Sequence, residues 1–308
     1  MSVERRYLAP CSDRHEQGVT PMPFLETRTG TTLFYRDWGT GQPVLFCAAA
    51  GMDGTEPRGV MADLVAQGMR AISYDRRGHG RSDDPGLGYD YDTLADDLAD
   101  VLEHLALHHV TLVGHSMGGC EIVRYLSRYG SDRVDRIVLV AATLPFLLAT
   151  PDNADGVPQA AADALRDSWH HHQDTWLLDN ADAYLGVGLP GCAVTPLARD
   201  RVLTSIAATS LQAILECNRA VVETDFRAEL RDITVPTLII HGDADASISL
   251  EFGAHRQAAL IPNSELIVYD NAPHGVYLTH GERLSTDLLT FLTQPAQALA
   301  GTAGPDRK

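Results

Sequence analysis

The sequence predicts an α/β fold: a mostly parallel central sheet flanked by helices, with an inserted helical cap. Three observations predict it. Short apolar runs rich in β-branched residues recur along the chain, helical stretches separate them, and one long segment, 144–225, replaces the alternation with helices alone. Strands that are apolar along their whole length are buried on both faces, as in a parallel sheet.

Residues 1–22 lack apolar periodicity and carry Pro10 and Pro21, so they read as an N-terminal extension. A first part of the core is expected over 23–143. Its strands are TLFYRDW (32–38), PVLFC (43–47), RAISYD (70–75), VTLVG (110–114) and RIVLVAA (136–142). Helices are expected over 57–68, 92–106 and 118–129. In 92–106, Leu94, Leu98, Val101, Leu102 and Leu105 share one face and acids take the other. The Ala- and Leu-rich segment 144–225 is divided by Pro151, Pro158, Gly188, Pro190 and Pro196 into several helices. An all-helical insertion between two strands is expected to cap one end of the sheet. The second part of the core, 226–295, holds strands PTLIIHG (236–242) and ELIVYD (265–270) and helices over 251–260 and 281–293. Residues 296–308 read as a C-terminal tail.

A formal charge of −17 argues against nucleic acid and anionic membranes as partners, because both need a basic surface. The five cysteines are scattered without CxxC or Cys/His spacing, which supports neither a disulfide framework nor a zinc site. The charged N-terminus has no apolar stretch behind it, and no window approaches a membrane span. A cytoplasmic protein is expected; homo-oligomerisation stays open.

After VTLVG comes GHSMGG (114–119), which fits G-x-S-x-G. This pattern marks a sharp strand-to-helix corner that lifts a serine above the sheet. The strained serine needs neighbours without side chains two positions away, here Gly114 and Gly118. The backbone N–H of Met117, at the helix N-terminus, then faces the place where an oxyanion forms. A nucleophilic Ser116 needs a base, and the base an orienting acid. PTLIIHGDADASIS offers Asp243 and Asp245 after one buried strand. ELIVYDNAPHGVYLTH offers His274 after the last. Both loops lie beyond strand C-termini, the edge where ligands bind in open α/β sheets.

GHSMGG, HGDAD and NAPHG, in this order, resemble the α/β-hydrolase fold. More closely, the chain is similar to the esterase family that includes bacterial arylesterases and cofactor-free haloperoxidases (perhydrolases). The likeness runs over about 26–293 and includes YDRRGHGRSD (74–83) and ETDFRAELRDITVPTLIIHGDAD (223–245). It implies Ser116 as nucleophile, Asp245, the last residue of HGxxD, as acid, and His274 as base, with no cofactor and no metal. It also implies a second oxyanion donor after the early strand. Alignment without gaps places the family's His-Gly pair on Ala48-Ala49 and the second donor on Ala50, where relatives usually carry an aromatic residue. Loss of that aromatic predicts a roomier acyl pocket. The proline that favours perhydrolysis in the family is replaced by Gly51, so peracid formation is a weak expectation.

Other histidines read as structural. His115 and His79 serve turn geometry. His170, His171 and His172 are consecutive, so on a helix they do not share a face. His280 opens a helix. Gly78-His79-Gly80 fails the dinucleotide fingerprint, because Asp83 stands at the third glycine position. The expected function is hydrolysis of carboxylic esters, lactones included, on a small-molecule ester or acyl substrate. A biosynthetic acyltransferase, cyclase or lyase on the same scaffold is the alternative. A non-catalytic ligand receptor of the same fold is a third reading.

Overall fold

The computed structural model describes residues 23–294; the extension at 1–22 and the tail at 296–308 lie outside the described residues. The central sheet is built from β1 (Phe24–Glu26), β2 (Thr32–Gly39), β3 (Pro43–Cys47), β4 (Arg70–Tyr74), β5 (Val110–His115), β6 (Val134–Val140), β7 (Thr237–Gly242) and β8 (Ser264–Tyr269). Its order is β1-β2-β4-β3-β5-β6-β7-β8. β1, β2 and β4 pair antiparallel, and every pairing from β4 to β8 is parallel. The antiparallel β1 is the strand the sequence does not announce, since three residues carry no readable periodicity.

The helices are α1 (Arg58–Ala66), α2 (Tyr91–His104), α3 (Met117–Tyr129), α4 (Gln159–Leu185), α5 (Pro196–Ala208), α6 (Leu211–Glu223), α7 (Arg227–Arg231), α8 (Ala254–Leu260), α9 (Val276–Thr279) and α10 (Gly281–Thr293). Alternation along the strands sorts them onto two faces. Leu45, Ile72, Leu112, Ile137 and Ile239 join Leu94, Leu98, Ile122 and Ala254 in one apolar cluster, which is the α2, α3 and α8 side. Their neighbours Val44, Phe46, Ala71, Val113, Val138 and Ile240 join Val60, Leu64, Leu284 and Leu288 on the α1 and α10 side. Each fully buried side chain of this kind contributes about 1.5–3 kcal/mol, so the double cover is what holds the strands rigid.

Helices α4, α5 and α6 follow β6 and precede β7. Their starts and breaks have local causes. The side chains of Thr195 and Ser210 cap α5 and α6, and Pro196 opens α5. α4 is broken at His172, whose φ of −142° is not helical. Several hydrogen bonds fasten this insertion to the core, three of them at the ends of the parallel strands. Thr209 Oγ1 donates to Gly51 O (3.1 Å), Ser210 N to Gly78 O (2.9 Å), and Gly275 N to Tyr184 O (2.9 Å). Gly51, Gly78 and Gly275 follow β3, β4 and β8, so the insertion lies over the edge where the parallel strands end. Among the described residues, no helix is long and apolar enough to cross a membrane.

Candidate active site

Ser116 stands between β5 and α3 with φ 53° and ψ −118°, a conformation costing about 1–3 kcal/mol for a residue with a side chain. The corner is held by Ser116 N donating to Val140 O at 2.9 Å. The two flanking glycines allow it. A Cβ on Gly118 would stand 2.2 Å from Cys47 O, and one on Gly114 2.5 Å from Gly119 N. Only glycine lets α3 start against β3 this closely.

Of the two acids after β7, it is Asp245 that meets His274. His274 Nδ1 lies 2.7 Å from Asp245 Oδ2, while Asp243 Oδ1 accepts the Asn271 amide at 2.6 Å. Asp245 Oδ1 accepts from the amides of Ser247 (2.8 Å) and Ile248 (3.0 Å), so its orientation is set by its own loop. Burial raises the Asp245 pKa, but the charge and hydrogen bond of His274 outweigh it and leave the carboxyl below its ordinary value. An ionised Asp245 only accepts, so Nδ1 of His274 carries a proton, and Nε2 is the nitrogen left to take one from a nucleophile. Among the described residues, the imidazole's hydrogen bond is the one to Asp245, and the Ser116 hydroxyl makes none to it. Bonds between a nucleophile and its base are often long until a substrate is bound.

The loop after β3 is fixed through its backbone. Arg76 donates to Ala48 O (2.6 Å) and Ala49 O (3.3 Å), and is itself buried in an ion pair with Glu121. Ala49 N donates to Glu56 Oε2 (3.0 Å), and Gly51 N to His79 Nε2 (3.1 Å). In a trans peptide the C=O and N–H point opposite ways. With Ala49 O turned towards Arg76, Ala50 N points away from it. Among the described residues, neither Ala50 N nor Met117 N meets an acceptor.

The alanine stretch is covered in part, while Ala50, where the aromatic is missing, is only partly buried. Ala48, Ala49 and Met52 pack with Val202 and Ile206 of α5. Two clefts of about 210 Å³ each lie elsewhere, one bordered by Arg283 and Asp287, the other by Gly130 and Glu229.

Three residues in this site receive no role from the sequence: Glu56 and Tyr184, outside every quoted motif, and Arg76, inside YDRRGHGRSD. Glu56 bridges the Ala49 amide and the His115 ring. Arg76 holds two carbonyls. Tyr184 sets its ring edge-on to His274, with centroids 5.3 Å apart, and buries a hydroxyl that has no partner among the described residues. The signal that could have found them is chemical: charged residues inside otherwise apolar surroundings need partners. His170, His171 and His172 are exposed on α4, and among the described residues no group of His, Cys, Asp or Glu is arranged to hold a metal.

Comparison with known proteins agrees with this architecture. The sequence pattern of the alpha/beta hydrolase fold family matches residues 42–183. The chain is 38% identical to the non-heme chloroperoxidase CPO-A1 of Kitasatospora aureofaciens, over 89% of this chain and all of that protein. It is 33% identical to the bifunctional esterase/perhydrolase DCH of Acinetobacter calcoaceticus, over 88% of this chain and 99% of that one. Among solved structures, the bromoperoxidase of Bacillus anthracis superposes with a TM-score of 0.82 at 35% identity, covering 86% of this chain and 96% of that chain. With the strained serine corner at one sheet edge and full-length relatives of this kind, the chain belongs to the α/β-hydrolase family, beside the non-heme haloperoxidases and their esterase relatives.

Proposed function

We propose that the chain hydrolyses carboxylic esters, lactones included, through an acyl-enzyme on Ser116. The observation that carries this reading is the 2.7 Å contact of His274 Nδ1 with Asp245 Oδ2, at the same sheet edge as a serine held at φ 53°. Ser116 Oγ attacks the carbonyl carbon while His274 Nε2 takes its proton. The oxyanion sits between the free N–H groups of Ala50 and Met117. Collapse expels the alcohol, which leaves with the proton from Nε2. A water molecule, deprotonated by the same nitrogen, then releases the acid. Asp245 keeps the imidazole in the required tautomer and stabilises its cation. The α4–α6 segment is the cap, and its α5 side chains form the wall facing the acyl group.

The esterase named among the relatives supports this reading, and so does the loop after β3: five of its backbone groups are engaged and the Ala50 N–H is left. Hydrolysis is favoured over peracid formation because Gly51, not proline, follows Ala50. The test is a fluorophosphonate probe with p-nitrophenyl acetate turnover. Ser116 is expected to be labelled, and Ser116→Ala to lose both labelling and turnover. Labelling of Ser116 without turnover of any ester would favour acyl transfer or another reaction on this scaffold.

A further inference from the structure

His115, the residue before the serine, is fully buried, and both its ring nitrogens face acceptors. Nδ1 lies 2.7 Å from Glu56 Oε1, and Nε2 lies 2.9 Å from the backbone carbonyl of His274. The carbonyl only accepts, so Nε2 supplies a proton, and with Glu56 as a carboxylate Nδ1 supplies the second. Glu56 is also buried, and its second oxygen accepts the Ala49 amide at 3.0 Å. One pair of side chains therefore touches the serine corner, the loop of the base and the loop of the oxyanion donor.

We propose that Glu56 and His115 are a positioning couple, an imidazolium–carboxylate pair that holds the His274 backbone and the Ala49 peptide in register with Ser116 for acyl transfer. It rests on the reading of Ser116 and His274 given above. The couple does not touch the reacting atoms. Its effect runs through the two backbone groups that it holds, one next to each side of the chemistry.

The electrostatics of the same contacts agree with the charge assignment. Burial on its own lowers the His115 pKa, but the charge and hydrogen bond of Glu56 and the bond to the His274 carbonyl outweigh it and leave the value raised. The groups around the couple are the His274 ring at 5.1 Å, Tyr277 at 5.3 Å, and, farther off, Asp245, His241 and Tyr184. When His115 loses its proton at high pH, one ring nitrogen faces an acceptor with nothing to donate. Activity is then expected to decline on the alkaline side.

Glu56→Gln tests the couple with little change of shape. Its single amide oxygen serves either Ala49 N or His115 Nδ1, not both, and the charge that holds the imidazolium is gone. For p-nitrophenyl acetate, kcat is expected to fall about 10- to 100-fold, the scale of a small misplacement, with KM within about twofold. The alkaline limb of kcat is expected to move to lower pH, and Glu56→Asp to restore part of the loss. A Glu56→Gln enzyme within about twofold of the parent, with its alkaline limb unmoved, overturns the proposal. A second measurement needs no variant. Long-range proton–nitrogen spectra of the histidine-labelled chain near pH 7 are expected to show both His115 nitrogens protonated, the ring being assigned through its contacts with Tyr277; a singly protonated ring also overturns it. Ser116→Ala in the same assay separates the two failures. If that variant keeps its turnover, the serine reading falls and the couple's role with it. If it is dead while Glu56→Gln is unimpaired, the couple alone is wrong.

Discussion

The Gly51 amide donates to Nε2 of His79 across 3.1 Å, while Nδ1 of the same ring donates to Arg77 O at 2.9 Å. A ring that accepts on one nitrogen carries a single proton, so His79 is neutral. Burial, with the Arg76 charge beside it, lowers its pKa to about 3. His115, with acceptors on both nitrogens, is driven the other way. The partners, not the residue type, decide the charge of each histidine.

The neutral His79 makes the fold acid-sensitive. In the unfolded chain it titrates near 6.5, in the folded one near 3, so the unfolded state binds the extra proton between those values. Stability contributed by His79 is complete above that window and falls as the pH drops through it. Between about pH 6 and 4.5 the loss is about 2 kcal/mol. Urea unfolding of the parent and of His79→Asn at both pH values measures it: the parent should lose about 2 kcal/mol more than the variant over this interval. Equal losses would contradict a neutral, buried ring.

Gly51→Pro, the change towards the haloperoxidase pattern, should damage the fold. Gly51 has φ +75° and needs its N–H for His79, and proline supplies neither. A Cβ there also stands 3.1 Å from Ile206 and 3.2 Å from Ile214. The expected cost is about 3 kcal/mol or more in urea unfolding, with no gain of peracid formation. A variant as stable as the parent would mean that the loop adopts another conformation.

The two aspartates after β7 should separate sharply. Asp245→Asn leaves the shape of the site but offers His274 the wrong tautomer, and kcat is expected to fall about 10⁴-fold. Asp243 holds only the Asn271 amide among the described residues. Asp243→Asn is expected to keep kcat within about tenfold, since one partly exposed hydrogen bond is worth about 1 kcal/mol. Steady-state rates on one ester decide it, and comparable losses would reverse the assignment.

Acyl selectivity should respond to α5. Ile206 packs against the alanine wall, so Ile206→Ala opens space there. Relative kcat/KM for hexanoyl over acetyl p-nitrophenyl esters should rise about tenfold or more, the scale of methylene groups gaining a pocket. An unchanged chain-length profile would place the acyl group elsewhere.

The fold was readable because strands such as PVLFC and VTLVG are covered on both faces, which leaves an unbroken apolar run. The meeting of Asp245 with His274 at the edge that carries Ser116 was foreseeable because each of the three follows a strand in a short, glycine-marked loop. What stayed hidden is non-local. His115 meets the His274 carbonyl across 159 positions and Glu56 across 59, and Arg76 reaches the Ala48 carbonyl across 28. No local window contains such pairs. His115 and His79 read as turn residues because their neighbours in sequence are turn-formers; their partners in space give them more to do. The helices α7 and α9 are too short, at 5 and 4 residues, for periodicity to register.

The hydrogen bonds that fix the Ala48–Gly51 loop come from residues outside it and end on its main chain. The side chains of Ala48, Ala49 and Ala50 therefore carry no hydrogen-bonding duty, and only packing limits them, against α5 for the first two and against the main core for the third. Form and identity are uncoupled at this point. Mutation there can change which molecules are accepted while the scaffold around the reacting carbonyl stays in place. Under the proposed reaction it is the natural place to begin when a new substrate is wanted.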